Sequence, residues 1–234
     1  METFTAEVSK TRSLTHDVRE IELTLLDAAR IDFMPGQFVS FEVPRRSSSL
    51  PATRPYSIAS SPNQRDAIQL VLNRVSGGPG SEYLFGLQQG DCTSFRGPAG
   101  TFVLRDSPRD LLFVATGTGI APIRSMLRVL AEASSSRTIA LFWGLRRERD
   151  LYYQDELNSL RERLPRFSFV TTLSQPSNDW RGAAGYVTPL VDAHVTDVAN
   201  LEVFLCGNGS MIRDVRDMLR GKGLCPIRVE QYYR

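Results

Sequence analysis

Cysteine is scarce in this chain of 234 residues: Cys92, Cys206 and Cys225 are an odd number with no close spacing. That pattern excludes a disulfide framework and, within this chain, a zinc or iron–sulfur site. Histidine is scarcer still. His16 and His194 stand alone, so neither a metal-ligand cluster nor a catalytic triad is expected around them. Any redox chemistry would need an organic or borrowed centre. No apolar run approaches the roughly 18 residues needed to cross a bilayer, and Met1-Glu2-Thr3-Phe4 lacks the basic and apolar regions of a signal peptide. A cytoplasmic protein without membrane insertion is expected. Excess charge is missing as well: the net charge of +2 is too small to argue for nucleic acid, which calls for a clustered basic patch. Lysine is almost absent, 26 of the 28 basic residues being arginine. Arginine suits phosphate and carboxylate recognition, but an excess spread over the whole chain reads as genome composition.

What is present is a globular composition, 41% hydrophobic and 23% charged, able to bury a real core. Residues 4–104 read as short strands between turn signals, at 5–8, 19–25, 37–43, 68–74 and 91–95. Close-spaced strands of this kind predict a small antiparallel β-barrel. Its only helical candidate is residues 81–87, opened by Gly77-Gly78-Pro79-Gly80, with the Ser81 hydroxyl expected as an N-cap. After Asp106 the rhythm becomes strand, helix, strand. Strands are expected at 111–115, 138–143, 167–173 and 203–206, and helices at 122–133, 154–164 and 210–220. This alternation predicts an α/β domain with a parallel sheet covered by helices and ligands at the carboxyl ends of the strands. The expected division is 1–106 and 107–234. No internal repeat is present, and the polar loop Arg45-Arg46-Ser47-Ser48-Ser49 is the nearest thing to low complexity.

Two motifs carry chemistry. In Arg54-Pro55-Tyr56-Ser57 an arginine offers a fork of donors to a phosphate, an aromatic ring a flat face and a hydroxyl a small hydrogen-bonding group, along one side of an extended segment. Taken alone, the tetrapeptide reads as an ordinary strand entry. In Gly117-Thr118-Gly119-Ile120-Ala121-Pro122, glycines follow an apolar strand and open a helix, where backbone N–H groups can approach a pyrophosphate.

With Gly77-Gly78-Pro79-Gly80-Ser81 and a late Cys206-Gly207-Asn208 in the same order, nearly the whole chain resembles the ferredoxin–NADP reductase superfamily. The resemblance implies a flavin-binding barrel followed by a nucleotide-binding domain. It implies that Arg54 neutralises flavin phosphate, that Tyr56 lies against the isoalloxazine with Pro55 beside it, and that Ser57 hydrogen-bonds near the ring position that accepts hydride. Gly78, Gly80 and Ser81 would form a second phosphate anchor, with Asn73 ahead of it, and two anchors favour FAD over FMN. The segment Pro35-Gly36-Gln37-Phe38 also recurs in the family, with a structural role expected here.

On the nucleotide side the resemblance implies that Gly117, Thr118, Gly119 and Pro122 receive the pyrophosphate, and that Cys206, Gly207 and Asn208 meet the nicotinamide. Cys206 would align the ring as a soft contact rather than act as a nucleophile. Glu230 matches the family's acidic ending, followed by an aromatic that can cover the flavin; Tyr232 and Tyr233 both stand in range. Where NADP-using relatives carry serine then arginine, this chain reads Ser174-Gln175, which favours NADH. NADPH stays open as the alternative, because Arg146, Arg147 and Arg149 could supply a substitute phosphate site or simply form a solvated loop.

The leading expectation is a reductase passing hydride from NADH to bound FAD and single electrons to a separate ferredoxin or oxygenase component. With three cysteines in this chain, no fused iron–sulfur domain is expected to receive them. Two other readings stand beside it: a free-flavin reductase, and a non-catalytic electron-transfer subunit of a larger complex.

Overall fold

Burial alternates along the first strands, the period of a strand with one face turned to a core. Strand β1 (Glu2–Ser13) buries Phe4, Ala6 and Val8, and β2 (Val18–Leu25) buries Ile21, Leu23 and Leu25. The computed structural model describes residues 1–45 and 48–233. Arg46, Ser47 and Arg234, with the side chains of residues 45–49 and of Tyr233, lie outside the described residues, and with them the polar loop and one of the two candidate flavin-covering tyrosines.

The chain divides into two units: Met1–Leu104 with Arg124–Val129, and Arg105–Ile123 with Leu130–Arg234. In the first, β3 (Phe38–Arg45), β4 (Ser48–Ser57), β5 (Ala67–Asn73) and β6 (Cys92–Ala99) join β1 and β2 in an antiparallel sheet of order β4-β3-β6-β1-β2-β5. Its two edges approach where the chain leaves β4: Ile58 forms a bridge with Leu70, and Ala59 N–H donates to Gln69 O at 2.8 Å. The interior holds Phe4 stacked on Phe95 at 5.5 Å and Phe41 against Phe95 at 5.8 Å. Helix α1 (Pro79–Gly86) contributes Leu84 to the same core.

From sequence, β4 reads only as an extended segment. The other five strands fall where the alternation predicts them, and all but β5 run longer. α1 begins earlier than expected, at Pro79, whose fixed φ suits a first helical position. Gly78 is therefore the N-cap, not Ser81. The Ser81 hydroxyl instead accepts from Val75 N–H at 2.7 Å and pins the turn that leads into the helix.

The second unit is a parallel sheet of order β10-β9-β8-β7-β11-β12. Its strands are β7 (Asp110–Thr116), β8 (Ile139–Leu145), β9 (Phe167–Leu173), β10 (Ala183–Ala184), β11 (Leu201–Asn208) and β12 (Ile227–Tyr233). Residues 111–115 of β7 are all buried, as strands covered on both faces require. The helices are α2 (Ile120–Glu132), α3 (Gln154–Arg163), α4 (Val187–His194) and α5 (Gly209–Lys222). The sequence reading lacks β10, α4 and β12. α4 is rich in β-branched residues and contains Pro189, yet Pro189 sits in the first turn, where a missing N–H costs no hydrogen bond. Val187 and Val191, four apart, hold it to the sheet. No helix among the described residues is long and apolar enough to cross a membrane.

Candidate functional site

In the first unit the pleat of β4 sets Arg54 and Tyr56 on one face, paired in register with Phe41 and Val39. The Tyr56 ring meets Phe41 edge-on at 5.9 Å. Ser57, expected on the same side, has the opposite parity because side chains alternate along a strand, and it is buried. Helix α1 packs its first turn onto this face. A Cβ on Gly80 would stand 2.5 Å from the Tyr56 hydroxyl and 2.9 Å from Arg54 Cγ. Gly80 therefore lets a helix N-terminus, with its unpaired N–H groups, reach the arginine and the ring. Arg54 is half-buried, with Nη1 donating to Thr53 O at 2.9 Å. Pro55 is exposed between them, and Asn73 ends β5 just before the turn into α1. A cation, a convergent helix terminus and a ring face fit a flavin carrying a pyrophosphate.

In the second unit β7 is the first strand in sequence, yet it lies between β8 and β11. Strand order thus reverses between the exits of β7 and β11, the place where open α/β sheets bind ligands. After β7 the chain makes a 3-10 turn, Gly117–Gly119, before α2. Gly117 has φ of +54°, and its Cα faces open space. Two donors fix its carbonyl: Trp143 Nε1 at 3.0 Å and the Tyr152 hydroxyl at 3.1 Å. Gly119 touches the end of β11 so closely that a Cβ would fall 2.7 Å from the Cys206 carbonyl carbon. Asn208 N–H donates to Thr116 Oγ1 at 2.9 Å, which completes the seam. Pro122 sits buried in the first turn of α2, where it removes no helical bond. This backbone cradle fits a pyrophosphate and the adjoining part of a dinucleotide.

Cys206 is fully buried at the end of β11, in register with Glu230 on β12. Burial pushes its thiol well above the ordinary range, the Glu230 carboxylate adds to the rise, and a hydrogen bond with Tyr232 opposes it. The thiol is therefore protonated at neutral pH, which suits packing against a ring and not nucleophilic attack. Cys92, by contrast, is exposed. Iodoacetamide at pH 8 on the native protein is expected to label Cys92 and spare Cys206. Mass-spectrometric mapping that found Cys206 alkylated at a rate comparable to Cys92 would contradict its burial and protonation.

Both halves of this arrangement correspond to known domains. The profile of oxidoreductase FAD-binding domains matches residues 5–104, and that of oxidoreductase NAD-binding domains matches residues 113–217. The chain belongs to the ferredoxin–NADP reductase superfamily. It is 37% identical to ferredoxin–NADP reductase B of Sorangium cellulosum (strain So ce56), over 99% of this chain and 98% of that one. It is 30% identical to the toluate 1,2-dioxygenase electron transfer component of Pseudomonas putida, covering 95% of this chain but 65% of the relative. Among solved structures, the Amycolatopsis cytochrome P450 reductase GcoB superposes with a TM-score of 0.88 at 27% identity, over the whole of this chain and 70% of that one. This reductase is thus an FAD- and pyridine-nucleotide-dependent oxidoreductase.

Further loops of the reductase meet at the exits of β8 and β9. Gln175 N–H donates to Arg146 O at 2.8 Å, and Arg147 Nη2 donates to Gln175 Oε1 at 3.2 Å. Ser177 donates to Glu148 Oε1 through both its N–H and hydroxyl at 2.7 Å. Those bonds hold the Glu148 carboxyl below its usual range. Arg146 is exposed. Asn208, a sequence-predicted ligand, uses its amide oxygen to cap α5 through Ser210 N–H at 2.8 Å. His194, read as isolated, bonds Leu190 O through Nδ1 at 2.8 Å. Sequence reasoning missed Thr116 and Trp143, on strands brought together only by the sheet, and Tyr152, in the loop before α3. The available signal was weak: an aromatic ending a strand reads as core.

Proposed function

We propose that this reductase takes hydride from NADH into bound FAD and delivers single electrons to a separate acceptor protein, a ferredoxin or oxygenase component, in the cytoplasm. Each NADH gives up two electrons; two acceptors take one each, and a proton is released. The observation that carries the reading is the packing of Gly80 on Arg54 and Tyr56, which joins two anion-binding elements to a ring face. Bound FAD supplies the conversion between two-electron and one-electron chemistry. In this reading Arg54 and the first turn of α1, at Gly78, Gly80 and Ser81, hold the pyrophosphate. Pro55 and Tyr56 support the ring; Ser57, the last residue of β4, reaches round the strand end to donate a hydrogen bond beside the reacting position, and Asn73 borders the adenylate side. Gly117, Thr118, Gly119 and Pro122 receive the nucleotide; Cys206, with Glu230, Tyr232, Gly207 and Asn208 around it, aligns the nicotinamide.

Two features support NADH: Arg147 is already engaged by Gln175, and the ionised Glu148 carboxylate opposes a 2′-phosphate. The exposed Arg146 and the name of the Sorangium relative favour NADPH as the second reading. The test is the visible spectrum of desalted protein under anaerobic addition of NADH, then NADPH, followed by a [2Fe–2S] ferredoxin with cytochrome c. Bound flavin bleached faster by NADH, with ferredoxin-dependent cytochrome reduction, is expected. Colourless protein would replace this reading with a free-flavin reductase, and flavin that stays oxidised would indicate a non-catalytic subunit. Arg54→Ala is expected to weaken FAD binding about 10–100-fold, since charge-assisted hydrogen bonds contribute about 1.5–3 kcal/mol. Unchanged flavin fluorescence titration in that variant would remove Arg54 from the phosphate site.

A further inference from the structure

Segment Arg124–Val129 of α2 belongs with the first unit, and its leading residue buries a guanidinium there. Arg124 Nη1 donates to Ala59 O at 3.1 Å and to Gln69 Oε1 at 2.9 Å, while Nη2 faces Glu20 Oε2 at 3.4 Å. The Arg124 side chain is 5% exposed and that of Glu20 10%. The carbonyl it holds lies two residues beyond Ser57. Around it the chain is fastened at each step: Ile58 N–H to Gln37 O, Ala59 N–H to Gln69 O, and Gln69 N–H to Ser60 Oγ. Gln69 in turn donates from Nε2 to Glu22 Oε2 at 2.8 Å and also accepts from Arg128 Nη1.

A buried ion pair is a poor way to gain stability, because an apolar pair of similar volume does as well or better. Its planar fork does something an apolar group cannot, which is to hold a backbone carbonyl, an amide oxygen and a carboxylate in one fixed geometry. The segment so held follows directly on Ser57, the last residue of β4. From this we infer that Arg124 is a positioning residue for hydride transfer: it fixes residues 57–60 through the Ala59 carbonyl and so sets the Ser57 hydroxyl against the flavin. The inference rests on the proposed flavin role of Ser57 and adds a residue outside every motif that identified the site.

The experiment is a double-mutant cycle on the flavin-loaded protein, reading the rate of flavin reduction by saturating NADH in anaerobic stopped flow. One arm replaces the charge pair together, Arg124→Met with Glu20→Gln, so that no buried charge is left alone; the second partner of Glu20, Arg12 at 3.3 Å, is half exposed, and Glu20→Gln by itself is the control for its loss. The expected result is retained FAD and a reduction rate lowered about tenfold, the effect of a displacement smaller than the roughly 1 Å that costs about 100-fold. In a Ser57→Ala background the same replacement is expected to change the rate less than twofold, because the two act through one group. Should the neutral pair fail to fold, Arg124→Lys keeps the charge opposite Glu20 while losing the fork, and the cycle is read with it. A rate within twofold of the parent overturns the inference, as does a full loss that persists in the Ser57→Ala background. Parent protein whose flavin NADH does not reduce would overturn the proposed function itself, a separate outcome.

Discussion

Replacing Gly80 by alanine is expected to weaken FAD binding about 10–100-fold while the chain stays folded, the loss matching a displaced charge-assisted contact of about 1.5–3 kcal/mol. The added methyl would stand 2.5 Å from the Tyr56 hydroxyl, 2.9 Å from Arg54 Cγ and 3.0 Å from Arg54 Cβ. No such approach is tolerated, so either the helix terminus lifts or both side chains move. Alanine itself favours the helix by about 1 kcal/mol over glycine, and overpacking costs about 1–3 kcal/mol. The two nearly offset in stability. What does not offset is geometry, because every atom that must give way belongs to the proposed phosphate and ring contacts. Gly86, in the last turn of the same helix, has nothing within 4 Å of its Cβ position. Gly86→Ala should bind FAD like the parent and serves as the control. Fluorescence titration of the two variants decides the matter: equal affinities would detach Gly80 from the flavin site.

The contrast between these glycines shows what the sequence could and could not convey. Glycine at 78 and 80 is visible in the letters, and its place before a short helix is readable. That Gly80 meets Arg54 is not, since residues 54 and 80 are joined only when β3 pairs with β4 and α1 packs on both. Strands with clean alternation, such as residues 21–25, announce themselves through period two. β12 does not: Arg228, Glu230 and Tyr232 interrupt any apolar pattern, and only the sheet pairs Glu230 with Cys206 in register. Ser81 has the letters of a cap, but Pro79 starts the helix two residues earlier and leaves Gly78 at the boundary. Arg124 lies outside every motif, and only the fold shows its guanidinium on the Ala59 carbonyl. Local propensity makes elements legible; contacts between distant strands make the site, and those are a property of the sheet order.

The second large effect is expected at Gly119, and there the obstruction is backbone. A Cβ at this position would lie on the Cys206 carbonyl oxygen, 2.7 Å from its carbon and 3.0 Å from Gly207 Cα. No rotamer change relieves contacts of that kind, so Gly119→Ala must part the 3-10 turn from the end of β11. The bond from Asn208 N–H to Thr116 Oγ1 crosses the same seam and would lengthen with it. Stability should fall by about 1–3 kcal/mol from overpacking. Flavin should still bind, because Arg54, Tyr56 and α1 belong to the other unit and are untouched. Reduction by NADH should fall about 100-fold, since a shift of about 1 Å in a positioning element costs that much. The pair of variants thus separates the two halves of the reaction: Gly80→Ala loses flavin, and Gly119→Ala keeps flavin that NADH reduces slowly. Stopped-flow reduction of FAD-loaded Gly119→Ala within threefold of the parent would show that the turn and Cys206 do not position the nucleotide together, and that the seam at the strand reversal has a structural role alone.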